Sequence, residues 1–280
     1  MFIFLYRNTL KAHSKNIAIG IREYLNSHDV KVVTEDDDAK SIGAEPLSKV
    51  DPSSIGFTIT LGGDGTILRM FHNHPEIKAP IVGVNLGSLG FMADIPLTDI
   101  YPSLQDLLSN NFTIQERIMM AGESVNNEFC HAVNEIAFHR AGNPTLVDLV
   151  IHVDGTYLNT FSADGVIFST ACGSTAYSLA AGGPILCPEL EAFVLTPISP
   201  HTISNRPIVL MPKSEIQVQY ISELNPIEVA CDGTTRFHLS TGEVFYIRQY
   251  EGKFRLVNLP HHDYYSTLRT KLGWSGKMRS

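Results

Sequence analysis

The passage from Phe57 to Phe71 constrains this chain more than any other, because an apolar run, FTITL, meets Gly62-Gly63-Asp64-Gly65-Thr66 and then a helical stretch, TILRMF. The run is bounded by Gly56 and Gly62 and predicts a buried strand. A charged Asp does not belong in a core at its end. Glycines on either side let a ligand approach the main chain closely, and free N–H groups at a helix start favour phosphate. The turn therefore offers an anion cradle and one fixed carboxylate together, the pair needed to move a phosphoryl group onto a hydroxyl. The competing reading is a tight loop in which Asp64 merely caps the helix.

Apolar strands and helical patterns alternate around this turn. Phe2 to Tyr6 reads as a strand, Ile17, Ile21, Tyr24 and Leu25 recur at helical spacing, and Val30 to Val33 and Pro80 to Val84 read as further strands. The acidic run Glu35 to Asp38 is expected as a solvated loop. Strands separated by helices imply a parallel sheet with ligands at its carboxyl ends, so Asp64 and Asn85-Leu86-Gly87-Ser88-Leu89-Gly90 should converge there. Beyond about residue 112 the texture changes to short runs rich in Val, Ile, Phe and Tyr: 132–138, 146–153, 157–161, 166–169, 208–211, 216–220, 244–247 and 254–257. The expected fold is an α/β N-terminal domain, a parallel sheet with helices, followed by a mostly antiparallel β C-terminal domain. We set the divisions at 1–115, 116–258 and a tail, 259–280.

Over 280 residues the net charge is −8 and Lys and Arg form no dense block, which argues against a nucleic-acid groove or an anionic membrane as partner. Cys130, Cys172, Cys187 and Cys231 show no C-x-x-C spacing and are expected as reduced thiols. The start, MFIFLYRNTLK, lacks a basic leader and reads as a first strand, and no apolar run reaches membrane-spanning length, so a cytoplasmic protein is expected.

Three further constellations could carry chemistry. Gly173-Ser174-Thr175-Ala176-Tyr177-Ser178-Leu179-Ala180 opens a small-residue helix that lets a flat ring or diphosphate lie against the backbone, with Ser174 or Thr175 as cap and Tyr177 able to stack; the alternative is a helix packed through Ala and Gly. Asn134-Glu135 interrupts an apolar strand. One of the two must face inward, either to ribose hydroxyls or an adenine edge, or to satisfy a neighbouring turn. Asp164-Gly165 and Asp232-Gly233 flank strands, as turns do. There is no G-x-x-x-x-G-K-[ST] loop, no protein-kinase set and no G-x-G-x-x-G after a strand.

Taken in order, Gly62 to Thr66, Asn85 to Phe91, Asn134-Glu135, Asp164-Gly165, Gly173 to Ser178 and Thr270-Lys271-Leu272-Gly273-Trp274 resemble the bacterial NAD kinases over about residues 57 to 276. The first motif alone is shared with lipid kinases of the diacylglycerol type. The resemblance implies transfer of the ATP γ-phosphoryl group to the 2′-hydroxyl of the adenosine ribose of NAD, giving NADP and ADP with a divalent metal, usually magnesium. It implies a homodimer or homotetramer, a crevice between the two domains, and a tail that returns to the first. Asp64 is then the proton acceptor. Gly65 and Arg69 lie near the phosphates, Asn85 belongs to the same site and Phe91 borders the adenine. Asn134 and Glu135 contact the dinucleotide, Asp164 its nicotinamide end, and Thr175, Ala176, Tyr177, Ser178, Leu179 and Ala180 its adenosine half, with Thr145, Ser162 and Thr234 as further binding positions. No protein ligand to the metal is assigned.

Two departures stand out. Ser162 and Ala163 precede Asp164 where many relatives carry Arg two residues before it, and Ala171-Cys172 stand where relatives carry Pro and Ser or Thr. Loss of the Arg removes a phosphate or carboxylate contact, so the handling of NAD against NADH is expected to differ. Two competing functions are a lipid or sphingoid kinase built on the same loop, and a dinucleotide-binding regulator without catalysis.

Overall fold

The strand and helix alternation of the first hundred residues becomes a parallel sheet in the structure, a computed structural model that describes residues 1–201, 206–260 and 263–274. The chain divides into two units, Met1–Gln115 with the chain from Arg255 onward, and Glu116–Phe254. In the first, β1 (Phe2–Arg7), α1 (Ser14–Asn26), β2 (Lys31–Thr34), α2 (Asp36–Ile42), β3 (Glu45–Pro46), β4 (Ile55–Gly62), α3 (Asp64–Asn73), β5 (Ile81–Asn85) and α4 (Ile100–Leu108) follow one another. The strands pair in parallel in the order β3-β2-β1-β4-β5. The chain leaves β1 toward β2 and leaves β4 toward β5, so β1 and β4 meet at a switch point, where open α/β sheets take ligands at the strands' carboxyl ends. Asp64 stands there as the first residue of α3. One face of α1 buries Ala18, Ile21 and Leu25 against Ile3, Leu5, Ile59 and Leu61.

The acidic run is not a loop. Asp36, Asp37 and Asp38 form the first turn of α2, where carboxylates complement the exposed N–H groups of a helix start. Asp38 is buried because Arg7, at the end of β1, takes both its oxygens at 2.5 Å. That bidentate pair holds its carboxyl below the ordinary range despite burial.

The second unit contains β6 (Thr113–Ser124), β7 (Phe129–Ala132), β8 (Glu135–His139), β9 (Val147–Val153), β10 (Thr156–Ala163), β11 (Gly165–Thr170), α5 (Tyr177–Ala180), β12 (Phe193–Ile198), β13 (Ile208–Leu210), β14 (Ile216–Tyr220), β15 (Ile227–Cys231), β16 (Thr235–Leu239) and most of β17 (Val244–Asn258). An antiparallel sheet runs β13-β12-β11-β8-β15-β16, and a second antiparallel group runs β10-β9-β14-β17 with the β6–β7 hairpin on β17. Alternating inward residues of both share one core, in which Phe138 meets Phe168 and Phe245 edge to face at 6.0 and 5.6 Å.

Three expectations are corrected here. The runs 244–247 and 254–257 belong to one strand, because the polar stretch between them, RQYEGK, keeps extended backbone. The run 132–138 is two strands broken at Val133-Asn134, for a reason given below. Cys130 and Cys231, expected as thiols, are joined at 2.21 Å. Their side chains enter the same core from β7 and β15, which brings together residues 101 apart in sequence. Cys172 and Cys187 form no disulfide.

At the end of the chain, Leu256 of β17 pairs in parallel with Ile81 of β5, and α6 (Tyr264–Leu272) belongs to the first unit. Of the tail, residues 261–262 and 275–280 lie outside the described residues.

Candidate active site

Asp64 is held by a loop rather than left free at the helix start. Its Oδ2 accepts the N–H of Phe91 at 2.8 Å, and its Oδ1 accepts those of Met92 and Ala93 at 3.0 and 2.8 Å. A carboxylate offers about four acceptor positions, so most are filled and the plane of the group is fixed. The approach needs Gly90, since a Cβ there would stand 2.1 Å from Asp64 Oδ1. By contrast, nothing lies within 4 Å of where a Cβ of Gly63 or Gly65 would be, which leaves open space beside the carboxylate for a ligand. Thr66 Oγ1 accepts the Gly63 N–H at 3.4 Å and also faces Arg69, whose exposed guanidinium donates to it at 3.4 Å.

Asn85 braces this loop from inside. Its Nδ2 donates to Ser88 O at 2.7 Å and Ala93 O at 3.0 Å, and its Oδ1 accepts the Gly87 N–H at 2.6 Å. The expected binding residue thus spends its amide on loop shape. The ring of Phe91 is flanked by the Lys271 ammonium at 5.0 Å and the Tyr264 ring at 6.0 Å.

The second unit carries its own constellation. Asp232 opens the turn between β15 and β16, with φ of 47° followed by 65° at Gly233, as a tight hairpin demands. Its carboxylate turns back to accept the N–H groups of Val133 and Asn134, each at 2.8 Å, and of Glu135 at 3.1 Å. Those bonds replace the strand ladder and explain the break between β7 and β8. Asp232-Gly233 reads locally as a turn, and the clamp escapes that reading because its partner lies almost a hundred residues away.

The clamp aims Asn134 and Glu135. Asn134 Oδ1 and Glu135 Oε2 are buried with no hydrogen-bond partner, a costly state for two polar atoms unless a ligand supplies partners. Burial, with the Asp232 carboxylate adding to it, pushes the Glu135 carboxyl up from about 4.5 to about 8, although the Tyr177 N–H donates to it. Folded protein therefore holds this proton to higher pH than unfolded chain does, and stability is lost as pH rises from about 4.5 to about 8. Glu135→Gln stays neutral throughout. Its gain in melting temperature over wild type should be absent near pH 4, grow across that window and level off above it; a gain independent of pH would refute the assignment.

Gly173-Ser174-Thr175 forms a 3-10 turn leading into α5, and Gly173 lies so close to Asn134 that a Cβ would stand 2.1 Å from its carbonyl oxygen. The expected cap is not made: the Ser174 hydroxyl donates to Ala171 O at 2.7 Å and accepts the Leu186 N–H at 3.0 Å. Ser178 is buried against Thr196 Oγ1 at 2.9 Å, and Thr175, Ala176 and Leu179 are half-buried. Tyr177 stacks on His139 at 5.5 Å, and burial with Glu135 and Asp164 nearby raises its hydroxyl's pKa. Asp164 pairs with Arg140 Nε at 2.7 Å, beside the position where relatives were expected to place an Arg. Asn134, Glu135, Asp164 and the stretch from Thr175 to Ala180 are thus neighbours. Thr145 is exposed in the loop before β9, Thr234 spends its hydroxyl on Cys231 O, and Ser162 lies opposite Asp148 in the β9–β10 ladder.

A separate hollow of the first unit, about 1090 Å³, is lined by Glu35, Asp36, Asp37, Asp38 and Glu76 against Arg7, Lys15 and His74. Its five carboxylates disfavour phosphate. Among the described residues no group of three or more His, Cys, Asp or Glu is arranged to hold a metal ion, and no helix is long and apolar enough to cross a membrane.

Comparison with known proteins agrees with this picture. The ATP-NAD kinase N-terminal domain family matches residues 4–112, and the ATP-NAD kinase C-terminal domain family matches 133–259. The NAD kinase of Protochlamydia amoebophila is 57% identical over 277 residues, 99% of each chain, and that of Geotalea daltonii is 37% identical over 266 residues, 92% of this chain and 93% of its own. Among solved structures, yeast NADH kinase complexed with NADH superposes with a TM-score of 0.87 at 26% identity, covering 100% of this chain and 89% of its own. An NAD kinase from Archaeoglobus fulgidus in complex with ATP gives 0.77 at 26% identity, covering 98% and 99%. Matches to both domain families, over nearly the full length of close relatives, set the lipid-kinase reading aside: the chain belongs to the NAD kinase family.

Proposed function

We propose that this protein transfers the γ-phosphoryl group of ATP to the 2′-hydroxyl of the adenosine ribose of NAD, giving NADP and ADP. The observation that carries the reading is the carboxylate of Asp64, fixed by three N–H groups at a helix start with open space over Gly63 and Gly65. In the reaction the 2′-hydroxyl donates a hydrogen bond to Asp64, its oxygen forms a bond to the γ-phosphorus, and the bond from that phosphorus to the β-γ bridging oxygen breaks. The proton passes to Asp64 late, as a loose transition state allows. The N–H groups of Asp64 and Gly65 at the start of α3, together with the Arg69 guanidinium, offset phosphate charge.

In the β-rich unit, the unpaired Asn134 Oδ1 and Glu135 Oε2 support a role in hydrogen bonding hydroxyl or amino groups of the dinucleotide, with Tyr177 and its neighbours along its adenosine half. The α/β unit, in the same reading, serves the phosphoryl donor. The described residues supply no acidic cage for magnesium, so a divalent ion would be carried by phosphate oxygens, supplying charge neutralisation. A cytoplasmic homodimer or homotetramer is part of the same proposal, resting on family likeness.

The test is incubation of purified protein with NAD, ATP and magnesium, coupled to a dehydrogenase that accepts only NADP. Steady NADP formation is expected. Bound NAD with no turnover across several phosphoryl donors and metals would instead make the protein a dinucleotide-binding regulator.

A further inference from the structure

The loop that holds Asp64 is tied to the end of the chain. Asn85 fastens the loop's two flanks at Ser88 and Ala93, and the Gly90 N–H closes onto Ala93 O at 2.9 Å. Its apex, Leu89-Gly90-Phe91, meets α6. Lys271 Nζ donates to Leu89 O at 2.8 Å and stands 5.0 Å from the centre of the Phe91 ring, which also meets Tyr264, at the first position of the same helix. One residue of main chain then separates these contacts from the catalytic group, since the Phe91 N–H donates to Asp64 Oδ2.

We propose that Lys271 is a positioning residue for phosphoryl transfer: by binding Leu89 O and the face of Phe91 it fixes the loop apex, and through the Phe91 N–H it fixes the orientation of the Asp64 carboxylate. The chemistry of the pair suits this work. An ammonium on a flexible stem satisfies a carbonyl at a half-buried loop tip and a ring face together. Helix α6 is anchored at its other end, where the Asp263 carboxylate accepts the Tyr265 and Ser266 N–H groups and caps the helix, and along its length Thr267 and Leu268 are buried. The latch therefore pulls against a fixed element. Loss of an ordered apex should cost turnover rather than affinity, because Asp64 acts in the transition state.

The inference rests on Asp64 as proton acceptor, so its test uses two readouts, of which one needs no activity. Lys271→Ala should lower kcat about five- to tenfold with KM for NAD and ATP within about twofold, and Lys271→Arg, which keeps a donor and a cation over the ring, should restore most of the loss. In parallel, amide hydrogen exchange at Phe91, Met92 and Ala93 should quicken several-fold in Lys271→Ala and return toward wild type in Lys271→Arg, with exchange in β1 and β4 unchanged. Unchanged exchange at those three amides overturns the proposal whatever the activity. So does acceleration spread across β1 and β4, which would make Lys271 a general stabiliser. If the wild type shows no kinase activity, the exchange comparison still decides whether the latch exists, and the functional reading fails separately.

Discussion

Asp64→Asn should lower turnover by about two to four powers of ten while the protein still folds and binds NAD, the range expected when a positioned proton acceptor is removed. The substitution is close to isosteric, and the hydrogen-bond pattern shows what else it changes. Oδ1 accepts from Met92 and Ala93, and an Asn carbonyl can keep both bonds. Oδ2 accepts from Phe91, and an amide NH2 in its place would face that N–H donor to donor. One bond of three is lost, worth about 1 kcal/mol and a fall of a few degrees in melting temperature. Coupled NADP formation, thermal melting and NAD titration on the same preparation separate these effects. Turnover above about a tenth of wild type would remove Asp64 from the chemistry, and an unfolded variant would make its carboxylate structural.

How much of this was legible in the sequence depended on how far apart the partners lie. The strand, turn and helix around Asp64 are local: apolar FTITL becomes β4, the glycines become the turn, and TILRMF lies within α3. The change from parallel α/β to antiparallel β was likewise visible, because composition and alternation report burial on one or two faces of a sheet. What escaped was set by contacts across the chain. The run EDDD looks solvated until Arg7 is seen beside Asp38, and the segment 132–138 reads as one strand until a carboxylate from the β15–β16 turn claims its N–H groups. Nothing local to Asn85 shows that its amide ties Gly87, Ser88 and Ala93 together. Nothing local to Cys130 or Cys231 indicates that β7 and β15 bring them together.

Two carboxylates, one in each unit, share one device, an Asp side chain closed over three successive N–H groups, but they differ in what remains for chemistry. Asp64 keeps open space beside it, whereas Asp232 is 8% exposed and wholly engaged with Val133, Asn134 and Glu135. Asp232→Ala should therefore act on binding and stability together. Three N–H groups lose their acceptor at once, at about 1–3 kcal/mol for each that stays buried, and some water entry makes about 3–5 kcal/mol the expected total. Because the clamp also aims Asn134 and Glu135, NAD affinity should fall at least about tenfold beyond what partial unfolding explains. Asp232→Asn is the informative partner: its carbonyl can keep the Asn134 and Glu135 bonds and lose only that of Val133, so it should recover most of the affinity. Titration of NAD against both variants, below their melting temperatures, tests the argument. Equal affinity in wild type and Asp232→Ala would show that Asn134 and Glu135 need no clamp, or do not bind the dinucleotide.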